Sequence, residues 1–328
     1  TGLIRNLEEF QEIWALWRRN YRPVRITAGE VVPDRPPEPR RGVFAASGGV
    51  DGTFALLRHL SRQAGQRTAQ PVCAMLVHGF DIPLGEQQAF DRARDGVAQV
   101  LKRLEVPLAV VRTNWRNEVC QDWPMEFAIG LAACLHQFHG LANVGVLGAD
   151  EDYAHLELPW SSNPITNPLL SGGLFQLHTE GGAFTRTERV RLISDCPEIA
   201  ARLRVCWQGP LTGANCGRCE KCVRTKLNFM ANKRAPLCFD GKATHAQILG
   251  ITAQNRLQLS YLQEIRDSAR RNGVTDAWLA TLALAIAKNR LLVPARSLEK
   301  RIRAKLQRLA KPRPSQRNPF RASQVGEE

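Results

Sequence analysis

The chain has 328 residues, 44% of them hydrophobic, and carries 45 Lys and Arg against 31 Asp and Glu, a formal net charge of +14. That is enough apolar material for one large α/β domain with an appendage, or for two modest domains. The longest uninterrupted apolar stretch lies near Ala277–Ala287. It is too short for a bilayer-spanning helix of ~20 residues, so no membrane partner is expected. The basic excess suits a nucleic acid, a nucleotide or an acidic partner.

Residues 5–20 place Leu7, Phe10, Ile13, Trp14 and Trp17 near helical spacing, with acidic residues among them. They predict an amphipathic helix rather than a cleavable apolar leader. The segment Val32–Arg41, rich in Pro and charge, follows as a linker or surface loop. Short apolar strands are then expected at Val43–Ala46, Val72–Val77, Leu108–Val111 and Val144–Leu147, alternating with helices at Thr53–Arg62, Gly85–Leu104 and Met125–Phe138. Continuous apolar strands separated by helices point to a parallel sheet covered on both faces, with functional loops at the strand C-terminal ends. From Asp150 to Gly182 the pattern is irregular, and a loop of that length marks function or mobility. Helices are expected again at Thr187–Ser194 and Glu198–Leu203, and throughout from Thr244, where Trp278, Leu282 and Ile286 form a buried stripe. Lys and Arg crowd residues Lys288 to Arg321, read either as a solvated helix with a basic tail or as a contact for a nucleic-acid or protein acceptor.

The sharpest local signal is Ser47-Gly48-Gly49-Val50-Asp51-Gly52-Thr53, directly after the first strand (ending at Ala46) and directly before a helix. Glycines there let backbone amides approach an anion, and the following helix N-terminus adds unpaired N–H groups and partial positive charge. Ser47 and Thr53 offer hydroxyls. Asp51 would repel a phosphate, so it implies either a Mg²⁺ bridge or a role in orienting the loop.

The second signal is Cys206-x9-Cys216-x2-Cys219-x2-Cys222, four of nine cysteines; the other five are scattered. An odd total with one cluster argues for a reduced compartment and a metal site rather than a disulfide framework. Four thiolates suit a structural Zn²⁺ without an open ligand position; an iron–sulfur cluster and unliganded cysteines are the alternatives. Arg218, Lys221 and Arg224 would offset the thiolate charge.

Ser47–Thr53 resembles the SGGxDS(T) loop of the PP-loop (N-type) ATP pyrophosphatases, departing from it at Gly52, where the family has serine. The cysteine spacing, with Arg204-Val205-Cys206-Trp207 before it, resembles the cyano-deazaguanine synthases of that family. So does Thr185-Arg186-Thr187-Glu188-Arg189-Val190, with Arg186 in place of the usual lysine. The similarity spans about residues 42–230. It implies an adenine nucleotide alpha-hydrolase-like α/β fold, a parallel sheet sandwiched by helices, with a zinc-bound C-terminal lobe and extra helices. The expected division is 1–41 N-terminal helical extension and linker, 42–195 ATP-binding domain, 196–235 zinc lobe and 236–328 basic helical region, the first and last lying outside the similarity. It implies ATP with Mg²⁺, bound by residues Ala46 to Thr53, by the backbone near Val77 and His78, and by Gly148 in Gly148-Ala149-Asp150. Ser47, Asp51 and Arg186 would be catalytic. The implied reaction cleaves ATP to AMP and pyrophosphate, adenylating a small-molecule carboxylate or a deazaguanine-like substrate for attack by an amine or ammonia. The segment Trp160–Thr166, which should read the base, shows no clear deazaguanine signature. A cytoplasmic protein, and a homodimer as its assembly, complete this expectation. The rival readings are an RNA-modifying PP-loop enzyme and a nucleotide-binding scaffold without turnover.

Arg112, Asn114 and Arg116 at the end of the third strand are further anion-binding candidates. Glu126 reads as a helix cap, His136 and His139 as packing or surface residues, and His178 as a candidate to face the site.

Overall fold

The computed structural model describes residues 2–18, 20–30, 39–206 and 209–310. The Pro-rich stretch 31–38, Trp207 and the basic tail after residue 310 lie outside the described residues.

Five strands form one parallel sheet: β1 (Arg41–Ala45), β2 (Gln70–His78), β3 (Leu108–Arg112), β4 (Val144–Gly148) and β5 (Gln176–Glu180), in the order β3-β2-β1-β4-β5. Side chains alternate across a strand, so each strand feeds two cores. Val43, Cys73, Met75 and Leu177 pack on one face with Phe10 and Trp14 of α1 (Gly2–Trp17). Leu135 of α5 (Trp123–His136) joins them, and the short α4 (Trp115–Glu118) precedes it. Phe44, Ala74, Val144 and Val146 face the other way. They meet Leu56 of α2 (Val50–Leu60) and Val97 and Leu101 of α3 (Gln87–Arg103).

The expected strands and helices of the sheet region are present within a few residues of their predicted bounds. The stretch from Asp150 to Gly182 differs: it contains β5. Of its five residues only Leu177 is aliphatic, and Thr179 is the one β-branched residue. Gln176, His178 and Glu180 face cations instead of an apolar layer: Arg40 bonds Gln176 (3.4 Å) and His178 (3.0 Å), and Arg58 bonds Glu180 (2.9 Å). An edge strand paired by charge carries no hydrophobic periodicity to read.

Beyond the sheet, α6 (Arg186–Ser194) and the short α7 (Pro197–Ala200) lead into the cysteine segment. A capping box closes the start of α6, Thr185 and Glu188 exchanging bonds through side chain and backbone. Then come α8 (Glu220–Ala231), α9 (His245–Gly250), α10 (Arg256–Arg271) and α11 (Trp278–Ala310). Val223, Leu227 and Met230 of α8 share a second core with Ile248, Leu262, Ile265, Leu282 and Ile286. Each such buried side chain contributes about 1.5–3 kcal/mol. Because Cys222 opens that same helix, the cysteine segment and the helical region are built on one element. No helix among the described residues is long and apolar enough to cross a membrane.

Candidate functional site: a charged crevice beside four cysteines

The chain leaves β1 to build β2 and β3 on one side, then returns to build β4 and β5 on the other. The C-terminal ends of β1 and β4 therefore flank the switch point, where open parallel sheets bind ligands. The glycine loop and the segment Gly148-Ala149-Asp150-Glu151 stand on either side of it.

The loop is tight for steric reasons. Gly48 has φ +78° and its amide neighbour Gly49 donates to Ser47 Oγ at 3.4 Å. A Cβ on Gly52 would lie 2.6 Å from the Ala45 carbonyl oxygen, and one on Gly148 would lie 2.4 Å from the Asp51 carbonyl carbon. Backbone thus meets backbone where α2 begins, and glycine at position 52 is a packing requirement here. The first-turn amides of α2 have no intrahelical acceptor. Ser47 is exposed at the loop tip, whereas Val50 is wholly buried and Thr53 is 9% exposed. Thr53 lines a small, mainly apolar void behind the loop with Leu56, Val97 and Val100, so its hydroxyl is not presented at the tip.

Asp51 joins Arg186 and Arg189, each at 2.7 Å and each to a different carboxylate oxygen. Burial pushes this carboxyl up, but Arg186, Arg189 and Lys221 outweigh it and hold it down at about 2. With both oxygens engaged, the geometry favours the loop-orienting role of Asp51 over a Mg²⁺ bridge. Arg189 is 1% exposed and also bonds the carbonyls of Ala149, Gly181 (3.1 Å) and Phe184 (3.1 Å). It fastens the ends of β4 and β5 to α2. Arg186 is less committed: its Nε is buried without a hydrogen-bond partner.

Six further residues stand around this pair. Trp160 Nε1 donates to Asp150 (3.0 Å), whose carboxyl burial pushes up. Tyr261 of α10 donates a short hydrogen bond to Glu151, and Arg224 of α8 stacks over the Tyr261 ring at 4.3 Å. Burial raises Glu151 to about 7, against the lowering effect of the tyrosine. Burial lowers the Lys221 ammonium, and Arg186 adds to this. Sequence reasoning missed Arg189, Glu151 and Tyr261 as site residues. Arg189 had a signal, three residues from Arg186 and so on one helix face. Glu151 and Tyr261 had none, being 110 residues apart.

Several candidates lie elsewhere. His78 is fully buried and stacks on Phe90 with ring centroids 4.0 Å apart; its Nε2 lies 3.0 Å from the Pro83 carbonyl. Its side chain is core, and the Val77 strand backbone pairs with Val111. Arg116 bonds the Phe80 carbonyl and stacks on Trp123 at 4.2 Å, and Arg112 reaches Gln87 at 3.3 Å. His178 pairs with Arg40 rather than facing the crevice. Glu126 accepts from the Gln121 amide (2.9 Å) at the start of α5, and His136 lies 2.8 Å from the Leu170 carbonyl.

The sulfurs of Cys206, Cys216, Cys219 and Cys222 all lie within 4.8 Å of one another, with Cys206···Cys219 at 3.8 Å and Cys216···Cys222 at 3.9 Å. A tetrahedral ion with bonds of ~2.3 Å sets its sulfurs ~3.8 Å apart. The four cysteines could therefore hold one metal ion; a multi-iron cluster would spread them further. Gly217 turns the knuckle at φ +69°, and the Cys219 amide donates to Cys216 Sγ at 3.3 Å. Asn215 pins the segment, accepting from the Val205 and Cys206 amides and donating to the Leu203 and Cys238 carbonyls. Of the cations expected to offset the thiolates, Lys221 faces Asp51 and Arg186, and Arg224 pairs with Glu220 at 2.9 Å. Buried Lys226 comes near the knuckle, its Nζ 3.6 Å from the Cβ position of Gly217 and 5.4 Å from the Phe239 ring centroid. Arg204 links the two centres, its amide donating to the Gly48 carbonyl at 2.8 Å two residues before Cys206. The chain matches no protein-family model, no curated protein and no solved structure.

Proposed function

We propose that this chain is an ATP pyrophosphatase of the PP-loop type, which adenylates a carboxylate and passes the acyl group to an amine or ammonia. The observation that carries the reading is the Ser-Gly-Gly-x-Asp loop at the switch point, its helix N-terminus and the Asp51–Arg186 pair converging on one crevice. The amides of Ser47 to Asp51 would take the pyrophosphate oxygens, and the unpartnered Nε of Arg186 would add charge as the leaving group departs. Mg²⁺ would arrive on the nucleotide phosphates, which suits a cation that keeps most of its waters. The carboxylate oxygen attacks the α-phosphorus, pyrophosphate leaves, and the amine then displaces AMP. Zn²⁺ in the four-cysteine centre would be structural: it fixes the start of α8 and, through Arg204, the floor of the glycine loop.

The test is ATP–pyrophosphate isotope exchange across a panel of carboxylates that includes carboxy-deazaguanine, with Arg186→Met beside the parent. Exchange that needs one carboxylate and falls at least tenfold in the variant is the expected result. ATP binding without exchange, whatever the carboxylate, would refute adenylation of a small carboxylate and leave the scaffold or an RNA acceptor.

A further inference from the structure

We propose that Glu151 is the base that takes the proton from the attacking amine, and that Tyr261 of the helical region is its positioning residue. This rests on the adenylation reading above. Amide formation makes a C–N bond and breaks the C–O bond to the phosphoryl group. AMP leaves with the electron pair, and the nitrogen must lose a proton. The step therefore needs a carboxylate or comparable base at the switch point that is not already bound to a cation.

Of the three carboxylates there, Asp51 has both oxygens on arginines, and Asp150 accepts from Trp160. Among the described residues no arginine or lysine forms an ion pair with Glu151; its hydrogen bond comes from a neutral phenol. It follows by three residues a glycine whose Cβ position would touch the Asp51 backbone, and it interacts electrostatically with Asp51 at the start of α2. The groups facing it are Tyr261 from α10, Arg224 from α8, Arg186 from α6, Asp51 from α2 and its neighbour Asp150. Their balance, with burial as the largest effect, holds the carboxyl at about 7. That is the range in which a base is both ionised and strong enough to act.

Tyr261 is supplied from outside the region of family resemblance. α10 is held against the sheet domain by Thr187, whose hydroxyl donates to Glu264 at 2.7 Å, and by the stacking of Arg224 on the tyrosine ring. The phenol donates to the carboxylate and so lowers its pKa. Its removal therefore moves the protonation of Glu151 to higher pH.

The experiment measures exchange and amide formation separately, at several pH values, in the parent, Glu151→Gln and Tyr261→Phe. In Glu151→Gln the ratio of amide formation to exchange should fall by about 100-fold or more, the usual worth of a positioned base. In Tyr261→Phe, which keeps the ring under Arg224, the acid limb of amide formation should start near 7 in the parent and move up. A Glu151→Gln ratio equal to the parent's overturns the base. An acid limb that stays in place in Tyr261→Phe overturns the positioning role. Absence of exchange in the parent itself overturns the adenylation reading and the base with it.

Discussion

Gly52 is where the loop departs from the PP-loop pattern it resembles, and its surroundings make a quantitative test. A Cβ there would sit 2.6 Å from the carbonyl oxygen of Ala45, inside the 3.0 Å that real Cβ atoms respect. The neighbour is strand backbone at the sheet centre, and the adjacent Ala46 amide is bonded to Met75 at 2.8 Å, so little can yield. Overpacking of this kind costs about 1–3 kcal/mol. Alanine regains up to about 1 kcal/mol of helix propensity, so at the middle of these ranges Gly52→Ala is destabilised by ~1 kcal/mol. Gly96, inside α3, is the internal comparison: a Cβ there meets nothing within 4 Å. Gly96→Ala should therefore stabilise by about 0.4–1 kcal/mol. Urea denaturation of the two variants should move the midpoint in opposite directions. Gly52→Ser, which restores the family residue, should follow Gly52→Ala and weaken rather than strengthen pyrophosphate binding measured by calorimetry. A Gly52→Ala chain as stable as the parent would refute the steric reasoning.

Three further perturbations read other parts of the structure. Asp51 is held at about 2 against an ordinary 3.8, so it binds fewer protons folded than unfolded; its contribution, roughly 2 kcal/mol, is complete about one unit above 3.8 and is lost as pH falls through 3.8 toward 2. Asp51→Asn should lower the urea midpoint at pH 7 and flatten its decline between pH 4 and 2. Burial, reinforced by nearby arginines, holds His59 and His178 down at about 4 against 6.5. The stability they confer is present above pH 6.5 and lost as pH falls through 6.5 to 4, by at most about 1.4 kcal/mol per pH unit for each. His178→Gln should make that decline shallower, as followed by circular dichroism in urea at each pH. At the cysteine centre, a Cβ on Gly209 would lie 2.8 Å from Cys206 Sγ and 2.7 Å from Cys216 Cβ. Metal analysis should give one zinc per chain in the parent and less in Gly209→Ala, and stripping the ion with a chelator should lower the melting temperature.

Much of the frame was legible because it is local. Apolar strands alternating with helices announce a parallel sheet, and the glycine loop and cysteine spacing state their chemistry within about fifteen residues each. The sequence alone determined where a Ser-Gly-Gly turn joins the first strand to a helix and which four cysteines converge. Tertiary structure decided the rest. Strand β5 was invisible because charge, supplied by Arg40 and Arg58 from distant segments, takes the place of apolar periodicity. His78 was legible as a strand-end position whose backbone could meet a nucleotide, but not as a ring stacked on Phe90 in the core. Glycine at position 52 could be read as a lost hydroxyl until the Ala45 carbonyl was seen against it. Glu151 and Tyr261 became neighbours only when α10 docked beside α6, and the proton affinity of that carboxyl is set by burial, which no run of residues encodes by itself.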